Sequence, residues 1–345
     1  MSVRHVISLV DLGAEAIAQL VDRSVAFARS RSNGRKPLAG KIVGLYFPKP
    51  STRTRTSFTV GALKLGAQTV TFGAGDLQLA TGETIKDSTN VLSGYLDALV
   101  IRTNDNIEEM RVWAEQDRMA VINAMSDIEH PTQAIADLST LKEHFGDLEN
   151  LHLLYLGEGN NSAVALAYAV AQTPGMRITL VTPKGYGFPQ EVIQRAQRLA
   201  HEHGAIIQYH HDAADLPLNV DAVYTTRWQT MGVPHPEPNW RDKFWPYSVT
   251  SALMARVSKP STIFMHDLPA VWGEDVEEDV LYGPQSLAWR QARHKMFSAM
   301  SVLEWCLDVG VSKKKPAAEQ HRVKSAAMEA FSASVAGAPV ADVIR

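Results

Sequence analysis

Two arginines and four hydroxyl side chains crowd into six residues of this chain, Ser51-Thr52-Arg53-Thr54-Arg55-Thr56. They follow an apolar run over residues 41–47 that reads as a buried strand, and they are joined to it by Pro48-Lys49-Pro50. Phe58, Ala62 and Leu65 then recur at helical spacing, so Ser51 or Thr52 can cap the start of a helix. The free N–H groups and partial positive charge of a helix N-terminus favour a phosphate. Arg53 and Arg55 add forked, charge-assisted hydrogen bonds to the same oxygens. The stretch predicts a phosphate site.

Other places in the chain carry chemistry of the same kind. Arg102 ends an apolar run over residues 98–101 and can project over a cleft. In His130-Pro131-Thr132-Gln133 the proline suits a first helical turn, and His130 and Gln133 lie one turn apart on one side of the helix start. Gln78 precedes Gly82-Glu83-Thr84, where Thr84 and Asp87 have the spacing of a capping box. His266-Asp267-Leu268-Pro269-Ala270 follows an apolar run over 263–265. The segment Gly157-Glu158-Gly159-Asn160-Asn161 lacks the third glycine of a dinucleotide fingerprint, which argues against a nicotinamide site.

The elements that must position these residues alternate. Strand-like runs at 41–47, 68–72, 98–101 and 120–123 are interleaved with helical patterns at 54–65, 85–96, 107–116 and 131–145. After a polar turn at 143–150 the alternation restarts, with strands at 151–156, 177–181 and 222–224 and helices at 163–171 and 190–203. This predicts an α/β protein of two doubly wound parallel-sheet domains, residues 1–146 and 147–285, with a final helix at 286–309 returning to the first. Ligands of such sheets bind beyond the carboxyl ends of the strands, where the motifs fall. Residues 312–345 open with Lys313-Lys314-Lys315-Pro316 and turn rich in Ala and Ser. They read as a flexible extension or, alternatively, an assembly arm.

Composition narrows the class. The 345 residues, 45% hydrophobic and 21% charged, suit a two-domain globular protein. A net charge of -3 gives no reason to expect nucleic acid or an acidic membrane surface as a partner. The single cysteine, Cys306, leaves no intramolecular disulfide and no multi-cysteine metal site. With no membrane-spanning run and no signal-peptide core, a cytoplasmic enzyme is expected.

The pattern F-x-K-x-S-T-R-T-R resembles the carbamoyl-phosphate signature of the aspartate/ornithine carbamoyltransferase family, and the likeness runs from about Val6 to Asp308. The resemblance implies that Ser51, Thr52, Arg53, Thr54 and Arg55 bind carbamoyl phosphate with Arg102, His130, Gln133 and the backbone around Leu268. Gln78 would reach into a neighbouring subunit's site, so a homotrimer with shared sites is implied. Lys295 stands where the ornithine enzymes have an arginine; it keeps the charge and loses the planar fork. Arg102, Thr54 and His130 would stabilise charge on the carbonyl oxygen while a neutral amine attacks, with neither metal nor cofactor. Because the amine must lose a proton, the rate is expected to rise with pH toward the acceptor's pKa.

On the acceptor side the pattern is mixed. Asn161 matches the family's second asparagine. Thr226-Arg227-Trp228-Gln229-Thr230-Met231-Gly232 combines Trp228, Met231 and Gly232 of the ornithine pattern with Arg227 and Gln229 of the aspartate pattern. Thr226 replaces the aspartate that holds the α-ammonium of ornithine, and Asp267 replaces the family's cysteine or proline. An acceptor other than plain ornithine is therefore expected, perceived through Thr226, Arg227, Gln229, Thr230, Met231 and Asp267. True ornithine carbamoyl transfer and a non-catalytic metabolite-binding relative are the alternatives.

Overall fold

A computed structural model describes residues 3–30, 34–230 and 233–309. The chain begins with α1 (Leu9–Arg29), broken at Gly13, whose φ of 77° lies outside the helical region. Then follow β1 (Ile42–Tyr46), α2 (Thr52–Leu65), β2 (Gln68–Phe72), α3 (Ile85–Leu92), β3 (Ala98–Arg102), α4 (Ile107–Trp113), β4 (Ala120–Met125) and α5 (Pro131–Phe145). The second series is β5 (His152–Leu156), α6 (Asn161–Ala171), β6 (Arg177–Val181), α7 (Gln190–His203), β7 (Ile206–His210) and β8 (Val220–Thr225). It ends with α8 (Ser251–Val257), β9 (Ser258–His266), α9 (Glu278–Leu281) and α10 (Ala288–Cys306).

The strands form two all-parallel sheets, ordered β2-β1-β3-β4 and β7-β6-β5-β8-β9. This is the expected α/β architecture. Parallel strands with helices on both faces are buried throughout, and β3, β4 and β8 show no exposed position. Local chemistry sets the helix ends as read from sequence. Thr84 accepts from the Asp87 N–H at 3.1 Å and donates to its carboxylate at 2.6 Å, and Pro131 opens α5.

Five elements were not anticipated: α1, β7, α8, the first part of β9, and α9. The half-exposed β7 is Ile-Ile-Gln-Tyr-His, with weak alternation, and only its pairing with β6 fixes it as a strand. One apolar core runs through both sheets by way of α1, α5, α6 and α10, and the described residues form one compact unit. The α10 helix packs on α1, α2 and α5, far in sequence from all three. Its partly exposed Arg23–Glu304 pair and the Arg290–Glu143 pair clamp its two ends. The extension expected at 312–345 lies outside the described residues.

Candidate active site

The carboxyl ends of β1, β3, β4, β5, β8 and β9 converge on one cleft of about 620 Å³, open mouth included. From the first sheet come Ser51, Thr52, Arg53 and Thr54, then Arg102, His130 and Gln133. The second sheet adds Asn160, Thr226, Arg227, Gln229, Thr230, Asp267 and Leu268, and α10 adds Lys295.

At the α2 end, Ser51 occupies the N-cap position but its hydroxyl makes no capping bond, so it is free to meet a ligand. No acid sits in that first turn to compete for the N–H groups. Arg102 is buried where β3 shifts register against β4. It donates to Thr54 Oγ1 at 2.8 Å, which leaves the Thr54 proton for another acceptor. Burial, followed by the neighbouring Arg53, pulls the Arg102 guanidinium down to about 10, so it stays charged at neutral pH. His130, the α5 N-cap, is held well below its usual range by burial, then by Lys295 and Arg102. The ring is neutral. Its Nε2 lies 3.4 Å from Arg102 Nη1, and its Nδ1 is buried with no partner among the described residues.

Gln133 is fixed at both ends of its amide. Its Nε2 donates to Asp137 at 2.8 Å and its Oε1 accepts from Lys295. Asp137 also accepts from Gln291 at 2.8 Å and from the Tyr224 hydroxyl at 3.1 Å. Gln291 in turn accepts the His266 N–H at 2.8 Å, so α5, α10 and β9 are tied behind the cleft. Burial pulls the Lys295 ammonium far below lysine's ordinary range and pushes the Asp137 carboxyl up.

The loop after β9 is shaped from beneath. His266 Nε2 donates to Asp275 at 2.6 Å, and its Nδ1 accepts from Leu268 N at 2.8 Å. Asp275 also accepts from Val271 N at 2.9 Å. Leu268 is held at φ 56°, the left-handed region, which turns its flanking backbone toward the cleft. Across the cleft, Gly159 approaches the Gly187–Phe188 backbone so closely that a Cβ would lie 2.5 Å from Gly187 C. Only glycine fits there.

The expected residues are placed as follows. Arg55 is exposed on α2 and does not line the cleft. Gln78 is exposed in a 3-10 turn (Gln78–Thr81), its Oε1 accepting from Thr81 at 2.8 Å. Asn161 does not line the cleft; its amide donates to the Ser126 carbonyl at 2.8 Å. Asn160 lines it instead, and its side chain caps α6 and donates to Thr226 Oγ1 at 2.9 Å. Met231 lies outside the described residues. Asp137, Gln291 and Asp275 were missed. Spacing held a signal for two of them, since Asp137 follows Gln133, and Lys295 follows Gln291, by four residues on one helix face.

A family model described as the carbamoyl-P binding domain of aspartate/ornithine carbamoyltransferase matches residues 4–143, and the Asp/Orn binding domain model matches 149–306. A protein of Oceanobacillus iheyensis called ornithine carbamoyltransferase is 37% identical over 304 residues, 87% of this chain and 93% of its own length. The chain belongs to the aspartate/ornithine carbamoyltransferase family. A Methanothermobacter thermautotrophicus relative with the same name is 34% identical, covering 88% of this chain and 99% of its own. The solved ornithine carbamoyltransferase of Pyrococcus furiosus superposes with a TM-score of 0.83 at 34% identity, over 90% of this chain and 99% of that one. As a carbamoyltransferase the chain is a transferase, and the non-catalytic alternative gives way to an enzyme. The relatives' names favour the ornithine alternative over the different acceptor first expected. Among the described residues no helix is long and apolar enough to cross a membrane.

Proposed function

We propose that the protein transfers the carbamoyl group of carbamoyl phosphate to the side-chain amine of ornithine. The observation that carries this is the assembly, in one cleft, of the α2 N-terminus with Arg102, His130, Gln133 and Lys295. Free N–H groups, Ser51, Thr52 and Arg53 suit the phosphate, whose charge grows as it leaves. Arg102, the Thr54 hydroxyl and neutral His130 suit the carbonyl oxygen, with Lys295 beside Gln133 at the same end. Holding both reactants together supplies much of the remaining acceleration. We read the enzyme as a cytoplasmic homotrimer in which Gln78 serves the neighbouring site; its exposure on its own chain supports that.

A second reading is favoured by Arg227 and Thr226. Arg227 lines the cleft with no side-chain partner among the described residues, which favours a carboxylate on the acceptor. The Thr226 hydroxyl is engaged by Asn160 and Tyr155, and it offers an α-ammonium no charge. An amine with a carboxylate and a blocked or absent α-ammonium would satisfy both. The test is ureido-product formation from carbamoyl phosphate with L-ornithine, L-aspartate, N-acylated ornithines, putrescine and 2,3-diaminopropionate. Strong turnover of ornithine with a low KM upholds the first reading. Turnover of another amine alone replaces it with the second.

A further inference from the structure

We propose that Asp267 receives the reacting ammonium of the acceptor and takes its proton as the nitrogen attacks, an assignment that rests on the carbamoyl-transfer reading above. Asp267 is the one acid among the described residues that line the cleft. Its side chain is 16% exposed, open to a small ligand yet largely shielded from water. No donor among the described residues engages its carboxylate. The nearest ring atom, His266 Nδ1 at 3.7 Å, already spends its lone pair on Leu268 N. The cleft therefore offers an incoming ammonium a single free carboxylate.

Its placement points to the carbamoyl end of the cleft. Arg53 on α2, Arg102 on β3 and Lys295 on α10 all feel its charge, and these are the cations that suit carbamoyl phosphate. Asp137 on α5 and the buried Tyr155 and Tyr224 hydroxyls on β5 and β8 feel it as well. None of those three can replace it. Asp137 is fully buried and accepts from Gln133, Gln291 and Tyr224, and the two phenols are driven well above their ordinary range by burial. The loop geometry fixed by the His266–Asp275 pair keeps the carboxylate aimed at the same space as the Leu268 backbone.

The step balances without any further reagent. As the ammonium yields its proton to Asp267, the freed nitrogen lone pair forms the N–C bond to the carbamoyl carbon. The carbonyl, opened to an oxyanion by that attack, re-forms as the C–O bond to phosphate breaks and its electron pair leaves with the phosphate. The departing phosphate takes the second proton of the newly bonded nitrogen, and the first passes from Asp267 to water. A primary amine with a pKa near 10.4 is only about one part in 10³ free base at pH 7. An enzyme that accepts the ammonium avoids that factor, so the rise of rate with pH expected from the sequence belongs to a variant lacking the carboxylate.

The experiment measures kcat/KM for the turned-over amine at saturating carbamoyl phosphate from pH 7 to 10, in wild type, Asp267→Asn and Asp267→Glu. Because Lys295 feels the Asp267 charge, the ratio of wild type to Asp267→Asn is measured also in a Lys295→Arg background, where no lysine titrates at that position. Expected is a ratio of about 10²–10³ at pH 7 that shrinks roughly tenfold per pH unit toward 10, with Asp267→Glu recovering the wild-type slope. The Asn variant is isosteric, and an unchanged circular dichroism spectrum separates misfolding from chemistry. Should it misfold, a wild-type kcat/KM that itself climbs tenfold per pH unit from 7 to 9 overturns the proposal. So does a pH-independent ratio, while carbamoyl transfer stands. Absence of turnover by wild type with every amine of the panel overturns the carbamoyl-transfer reading itself, and this assignment with it.

Discussion

Lys295 shows how one residue's surroundings change what its charge is worth. An arginine in its place would hold its proton at every accessible pH, whereas a lysine buried on α10 between Gln133 and Arg102 does not. The ammonium is the charged form, so a lowered pKa means that the charge is lost as pH rises through the lowered value. Above pH 7 carbamoyl phosphate is a dianion and gains from that charge. Its dissociation constant is therefore expected to weaken between pH 7 and 9, by at most about tenfold per unit, and to weaken less in Lys295→Arg. Equilibrium titration of both proteins across that window checks this; parallel curves would show that Lys295 does not serve the ligand. Thr54 makes a related point. Its oxygen is taken by Arg102, so its proton, rather than its lone pair, is what the cleft receives.

At the scale of elements, the cleft depends on helix starts, and these are set by groups distant in sequence. The Glu129 carboxylate, just before α5, accepts from Leu9 N at 2.7 Å and so caps α1. It is fully buried, and burial raises it from 4.5 to about 7 against the opposing hydrogen bonds. A raised folded pKa gives a stability contribution that is full below the unfolded value of 4.5 and lost as pH rises through 7. Glu129→Gln keeps the acceptor oxygen and removes the buried charge. It is expected to match wild type near pH 4.5 and to exceed it by on the order of 2–3 kcal/mol above pH 7, read as a few degrees in Tm. A variant less stable than wild type at pH 8 would mean that the charge itself holds α1.

At the scale of the molecule, α10 completes the cleft by carrying Lys295 and Gln291 from the second sheet's side onto the first. Gln78 remains outside its own cleft, which is why assembly enters the argument. If Gln78 acts in trans, Gln78→Ala and Arg102→Met proteins, each crippled alone, should regain activity when co-refolded. A random mixture of two such subunits leaves about a quarter of the shared sites intact. Size-exclusion chromatography should place the wild type at the mass of a trimer. No recovery in the mixture would confine Gln78 to a structural part in its own loop.

Much of this was legible in the order of residues, because the reporters are local. The period of apolar residues marked both sheets; Pro131 and the Ser51-Thr52 pair marked two helix starts, and Thr84 a third whose capping chemistry lies within one turn. The cleft-lining Ser51, Thr52, Arg53 and Thr54 were legible for the same reason. What sequence did not carry was anything decided by contacts between distant segments: α1, whose apolar face only matters against α5 and α10, and β7, which exists by pairing with β6. The exchange of Asn161 for Asn160 is of that kind. Adjacent residues at a helix start point in different directions, and only the packing of α6 against the loop after β4 sends Asn161 to Ser126. Likewise Asp267 is one acid among many in the sequence. It becomes the single free carboxylate among the described residues of the cleft because tertiary structure sets it in one cleft with Arg53, Arg102 and Lys295 and pairs off its nearest rival, Asp137.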